Sequence, residues 1–164
     1  MTSWQQLADA EPAFHRALAA RFDAHKHKLL ATVRADGSPR ISGIETTVRD
    51  GELWLAGMPA ARKFADLRRD PRLALHSGSD DSDPDDPAAW PGDAKLSGIA
   101  VEVTDPDALA AWAAAHEQPM PPGDFELFRV DVREASRVYV GDPADHLVVE
   151  IWDEASGLRS VRRD

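Results

Sequence analysis

Apolar residues recur at every fourth position at Phe14, Leu18 and Phe22. Following Glu11-Pro12, this spacing predicts an amphipathic helix over about 12–22. Beyond it the pattern changes to short strand-like runs. Lys28-Leu29-Leu30-Ala31-Thr32-Val33 reads as one strand, Asp36-Gly37 as a turn, and Arg40 to Val48 as a second strand. A second Asp-Gly pair, Asp50-Gly51, joins Val48 to Glu52-Leu53-Trp54-Leu55. A two-residue Asp-Gly loop between alternating runs is the strongest short-range hairpin signal, so three strands form an antiparallel meander.

A helix then runs from about Pro59 to Arg69. Proline suits its first turn, Phe64 and Leu67 supply an apolar stripe, and Asp70-Pro71 ends it because the residue before proline avoids the α region. Arg72 to His76 reads as a fourth strand. Residues 77–93, rich in aspartate, serine and proline, cannot bury enough apolar surface to order themselves and are expected to form a mobile acidic loop. Alternation resumes from Ala94 to Val103, where Gly98 suggests a bulge or a close backbone approach. Asp105-Pro106 caps an alanine-rich helix to about His116, and Gln118 to Asp124 is rich in turn formers. Phe125–Val132, Ser136–Val140, Leu147–Trp152 and Leu158–Val161 complete the strands. Seven or eight short antiparallel strands with about three helices predict a mainly β, α+β chain closed into a small barrel, because closure removes exposed edges.

The 164 residues, 43% of them hydrophobic, suit one domain over 1–164. A formal net charge of −10 disfavours nonspecific attraction to nucleic acid or to an anionic membrane surface. The absence of cysteine excludes disulfides and thiol chemistry and fits a cytoplasmic setting. No run is apolar enough for a spanning helix and the first residues lack a signal-peptide pattern, so a soluble cytoplasmic protein is expected.

The most informative chemistry is Arg62-Lys63 in the first turn of the helix predicted from about Pro59 to Arg69. A helix start already carries partial positive charge, so two cations there are unfavourable unless an anion offsets them. Other chemistries find little support. His25 and His27 lack a nearby third ligand, and His76, His116 and His146 stand isolated, so no metal site is expected. No Gly-x-Ser-x-Gly elbow is present, and the Asp80–Asp86 run lacks the EF-hand pattern. The tryptophans Trp4, Trp54, Trp90 and Trp112 are core or interface candidates, leaving Trp152 for a functional role.

The order of parts, a strand-turn-strand, a hairpin into Leu53-Trp54-Leu55 and then Gly57-Met58-Pro59-Ala60-Ala61-Arg62-Lys63-Phe64, resembles the pyridoxamine 5'-phosphate oxidase-like split-barrel flavoproteins. Lys95-Leu96-Ser97-Gly98 resembles a family strand carrying a glycine, and the likeness is best over about 27–105. It implies an antiparallel split β-barrel and a homodimer with a flavin, usually FMN, in each groove between subunits. Arg62 and Lys63 match the pair that grips the cofactor phosphate. Arg40, Ile41, Ser42 and Gly43 match the strand whose backbone lines the flavin ring. Gly57 lies at the phosphate end, Lys95 matches a basic position approaching from the second subunit, and Trp152 matches a C-terminal tryptophan near the ring.

Relatives commonly carry a hydroxyl residue at Gly57 and Ala61 and an arginine at Ile99, so this chain departs from the pattern around the phosphate. Each missing hydrogen bond to a charged group removes about 1.5–3 kcal/mol, tenfold or more in affinity. The expected function is an FMN-dependent oxidoreductase exchanging hydride with a nicotinamide donor or a small organic substrate, with no catalytic side chain assigned. The alternatives are a reductase using the deazaflavin coenzyme F-420, with Arg68, Arg69 and Arg72 as an outlying basic patch, and a noncatalytic flavin-binding or sensor protein.

Overall fold

Ser3 opens the chain's first helix with a capping box. Its hydroxyl accepts from the Gln6 N–H, and the Gln6 side chain accepts from the Ser3 N–H. The computed structural model describes residues 2–115, 123 and 125–164. Helix α1 (Trp4–Ala10) is followed directly by α2 (Pro12–Ala24), which buries Phe14, Leu18 and Phe22 as the fourfold spacing requires. Strands β1 (His27–Val33), β2 (Pro39–Arg49) and β3 (Glu52–Gly57) form the predicted meander. Asp50 and Gly51 both adopt positive φ, the conformation that a two-residue hairpin turn demands.

Helix α3 (Arg62–Arg69), β4 (Arg72–His76), β5 (Asp93–Glu102), α4 (Pro106–Ala114), β6 (Glu126–Val140), β7 (Leu147–Asp153) and β8 (Gly157–Arg163) follow. The strand order is β3-β2-β1-β4-β5-β6-β7-β8, and β3 also pairs with β6. That pairing closes the first six strands into an antiparallel barrel, with β7 and β8 as a hairpin continuing from β6. Leu30, Leu55, Leu75, Leu96 and Val130 fill the barrel, and Phe64 and Phe128 stack at a 5.0 Å centroid separation. A smaller cluster joins Trp112, Phe125 and Leu127.

The barrel agrees with the sequence pattern, and three details differ. Four helices flank it among the described residues, not three, because Ser3-Trp4-Gln5-Gln6 forms the short α1. Helix α3 begins at Arg62 and not at Pro59, because Ala60 is left-handed (φ 59°) and breaks the helical path. The runs 125–132 and 136–140 belong to one strand, β6. The register slips opposite Ser97 and Gly98, leaving Arg133 as an extra residue that interrupts the alternation. Gly98 marks this bulge as expected, since a Cβ there would lie 2.3 Å from the Asp131 carbonyl oxygen. The reading of residues 116–122 and 124 falls outside the described residues. No helix among those described is long and apolar enough to cross a membrane, and no cluster of three metal-ligating side chains occurs among them.

Candidate functional site

Helix α3 starts without a side-chain cap. Ala61 occupies the N-cap position and offers no oxygen, while the Ala61 carbonyl takes up the N–H groups of Phe64 and Ala65. The N–H groups of Arg62 and Lys63 therefore face outward with the positive end of the helix. The exposed Arg62 side chain makes no hydrogen bond or ion pair with a described residue. Lys63 donates from its ammonium to the Gly43 carbonyl at 2.8 Å, and burial pushes its pKa down from the ordinary lysine value. Two cations and free backbone donors thus converge where an anion fits. One opposing charge is near: the Glu126 carboxylate accepts from the Ala60 N–H at 3.2 Å, and Arg68 offsets it at 3.0 Å.

A buried carboxylate fixes this helix to the barrel. Asp66 accepts from Arg40 Nε at 2.6 Å, from Thr32 Oγ1 at 3.0 Å and from Arg69 Nη2 at 3.0 Å, so α3 is tied to β1 and β2. Burial alone would raise the Asp66 carboxyl, but these hydrogen bonds outweigh it and hold the pKa below its ordinary value. The Arg40 side chain is thereby held through Nε against Asp66.

The barrel is split beside this helix. Strand β2 pairs with β3 only from Glu45 onward, so its stretch 39–44 has one edge without a partner strand among the described residues. Gly43 turns its carbonyl to that edge, as its bond to Lys63 shows, and the alternation of an antiparallel ladder sends the main-chain groups of Ile41 the same way. Outward from this edge the sheet register lines up Gly43, Leu29, His76, Lys95 and Ser136 across neighbouring strands. A groove of about 310 Å³ lies on this face, walled by Leu29, Ala31, Ile41, Ala74, His76 and Lys95. Its apolar walls are unusually bare, with Ile41 73% and Leu29 49% exposed.

Ile41 and Lys95 thus line the groove, Lys63 reaches the Gly43 carbonyl on the β2 edge, and Arg62 stands exposed next to Lys63 at the helix start. Ser42 points to the other side of β2. Gly57, at the end of β3, packs under α3, and a Cβ there would come 3.0 Å from the Phe64 ring. Trp152 is not on the groove face: it is 4% exposed in the barrel core, paired with Ala135 and Leu158. The acidic loop is pinned at its base, where Asp80 meets Arg21 at 2.5 Å and His25 at 3.2 Å and its carbonyl accepts from Trp90 Nε1 at 2.9 Å.

His76, isolated along the sequence, stands beside Asp93 in the fold. His76 Nδ1 accepts from the Gly78 N–H at 3.0 Å, and Nε2 lies 3.4 Å from Asp93. Alternation in β4 could have placed His76 on the outer face, but its pairing with Lys95 is visible only once the strands are in register.

Residues 14–139 match the family model described as pyridoxamine 5'-phosphate oxidase. The chain belongs to that family. Solved structures of the same fold include a pyridoxamine 5'-phosphate oxidase-related, FMN-binding protein from Nostoc punctiforme, at 13% identity and TM-score 0.64, covering 94% of this chain and 96% of that one. A putative pyridoxamine 5'-phosphate oxidase from Listeria innocua matches at 16% identity and TM-score 0.56, over 74% of this chain and 95% of that one. A heme-binding protein from Mycobacterium smegmatis matches at 20% identity and TM-score 0.55, over 90% and 87%. At these identities the likenesses establish the fold. A search of curated protein sequences finds no match. In this chain the start of α3 is uncapped, and neither Gly57 nor Ala61 beside it carries a hydroxyl.

Proposed function

We propose that this chain binds a flavin mononucleotide in the groove and serves as a flavin-dependent oxidoreductase of the pyridoxamine 5'-phosphate oxidase family. The observation that carries the reading is the junction of two features: the uncapped start of α3 with Arg62 and Lys63, and the unpaired edge of β2 beside it. The first suits a phosphate, through backbone N–H groups and two cations. The second suits a heteroaromatic edge, because the main-chain groups at Ile41 and Gly43 can donate and accept in a fixed pattern. The apolar wall of Leu29, Ala31 and Ala74 suits a planar ring and keeps water from it.

A bound flavin supplies the hydride chemistry at its own ring. The protein's part is to hold the phosphate with Arg62 and Lys63, to orient the ring on the β2 edge, and to place Lys95 at the far end of the groove. Such chemistry takes electrons from a nicotinamide donor or a small organic substrate. The bare Ile41 and Leu29, together with Met58 at 79% exposure, favour a second copy of the chain covering this face as a homodimer.

A tautomer argument favours flavin over haem in this groove. The Gly78 N–H can only donate, so His76 Nδ1 must be the accepting nitrogen and the neutral ring carries its proton on Nε2. That leaves Nε2 without the free lone pair that axial iron ligation needs. Two titrations of the whole purified protein test the reading. FMN is expected to bind with quenching of its fluorescence, and hemin is expected to bind without a Soret shift that depends on His76. Absence of FMN binding at tens of micromolar protein would overturn the flavin assignment. Light scattering is expected to give the mass of a dimer.

A further inference from the structure

His76, Lys95 and Asp93 sit together where β4 meets β5, at the end of the groove away from α3. His76 and Lys95 are cross-strand partners, and Asp93 lies two residues before Lys95 on the same face. Asp93 is recessed: its side chain is 14% exposed, its Oδ2 lies 3.4 Å from His76 Nε2 and its Oδ1 lies 3.9 Å from Lys95 Nζ. Both separations are longer than a good hydrogen bond, and Oδ1 has no hydrogen-bond partner among the described residues. Among the described residues the proton on Nε2 and the three protons on Nζ therefore have no hydrogen-bond acceptor, while the carboxylate beside them balances the lysine charge.

Locking Nδ1 with the Gly78 N–H has a chemical consequence. A neutral His76 cannot serve as a base, because its lone pair is occupied, and it cannot give up its remaining proton without forming an imidazolate. What remains is hydrogen-bond donation to an oxygen. The subsite offers only donors to the groove, it is close to electrically neutral overall, and it adjoins the apolar wall of Ala31, Ile41 and Ala74. A full anion gains little there beside Asp93, whereas the polarised oxygen of a neutral, planar ligand gains two donors.

We propose that His76 and Lys95, backed by Asp93, form a carbonyl-binding subsite that takes the oxygen of a planar conjugated carbonyl compound and polarises it. No proton is transferred: both donors stay bonded to their hydrogens and strengthen their contact as charge builds on the oxygen. The carbonyl is either that of a substrate or one borne by the flavin ring itself. The proposal shares its groove with the flavin reading, but its test does not depend on flavin binding.

The experiment uses 2-cyclohexenone labelled with 13C at the carbonyl, added to the full-length protein, with the carbonyl resonance read by NMR. Binding is expected to deshield that carbon. His76→Leu and Lys95→Met are each expected to weaken binding about fivefold or more and to shrink the shift, the cost of one net hydrogen bond. His76→Gln, which keeps a donor, is expected to retain most of both. In the ligand-free protein at about pH 8, imidazole nitrogen shifts are expected to show the Nε2–H tautomer at His76. A mixed tautomer, a wild-type carbonyl that does not shift, or an unchanged shift in folded His76→Leu would overturn the proposal. Repeating the titration with FMN present identifies the source: retained enone binding assigns the subsite to a substrate, and competitive loss assigns it to the flavin's own carbonyl. Failure of FMN to bind would sink the flavin reading while leaving the enone result to judge the subsite.

Discussion

Arg40 and Asp66 meet at 2.6 Å inside a network that also takes in Thr32 and Arg69. The pair converts an arginine of the ligand-lining strand into a clamp on the helix that bears Arg62 and Lys63. Its geometry determines where the two cations stand relative to the β2 edge, so the buried carboxylate acts on the site without touching it.

Removing that carboxylate is expected to be costly. Asp66→Ala leaves Arg40 and Thr32 without their shared acceptor in a buried setting, and is expected to lower stability by about 3 kcal/mol. The pH dependence follows from the depressed Asp66 value. Its folded pKa lies below the unfolded reference of 3.8, so its contribution is present above that pH and is lost as pH falls through the folded value. Chemical denaturation across pH 2–6 is expected to give a shallower acid limb for Asp66→Asn than for the wild type. Equal slopes in the two proteins would mean that the ionised carboxylate contributes nothing to the fold.

The two cations are expected to separate by assay. Arg62 is exposed and has no partner among the described residues, so Arg62→Ala should leave the melting temperature nearly unchanged while weakening FMN binding about tenfold, the loss of a charge-assisted contact. Lys63 also bonds to the Gly43 carbonyl, so Lys63→Ala should lower both affinity and stability. FMN affinity unchanged in the double variant would remove the phosphate from this helix start.

Much of this arrangement was legible before the structure. The Asp-Gly pairs fixed two turns, the alternation fixed the barrel strands, and Arg62-Lys63 marked the helix start. Other parts were hidden for physical reasons. Ala60 can adopt a left-handed conformation only because the surrounding fold holds it there, and nothing in an Ala-Ala pair announces it. Trp152 reads as a free aromatic near the end of the chain, yet pairing of β7 with β6 and β8 turns it into the core. His76 and Asp93 are separated by the acidic loop, and their proximity depends on a cross-strand register that no local pattern encodes.

The missing hydroxyls at the phosphate end are expected to respond unequally to restoration. Ala61→Ser supplies an N-cap oxygen to the first free N–H groups of α3 and should stabilise the protein by about 1 kcal/mol. It should also tighten FMN binding. Gly57→Ser should do the opposite, since its Cβ would come 3.0 Å from Phe64 Cε2 and 3.1 Å from Cζ in a ring that is fully buried. Thermal melts of the two variants with and without FMN check the contrast. A stabilised Gly57→Ser would show that Phe64 moves aside freely.

The acidic loop gives the last prediction. Its base is held by Asp80 and Trp90 and continues from Ser77 and Gly78, the residues directly after His76, so its charge lies at the far end of the groove. Residues 81–89 are all exposed and contribute little buried area. Replacing them with a short glycine linker keeps Asp80 on Arg21 and should leave the melting temperature within a few degrees of the wild type. The aspartates removed would otherwise repel an anionic cofactor on approach, so the FMN association rate should rise about two- to threefold at low ionic strength. At about 0.5 M salt the Debye length falls to a few ångströms and the gain should vanish. Stopped-flow fluorescence at both ionic strengths measures this. A gain that persists in high salt would assign the loop a steric role, and no gain at either would place its charge outside the ligand's path.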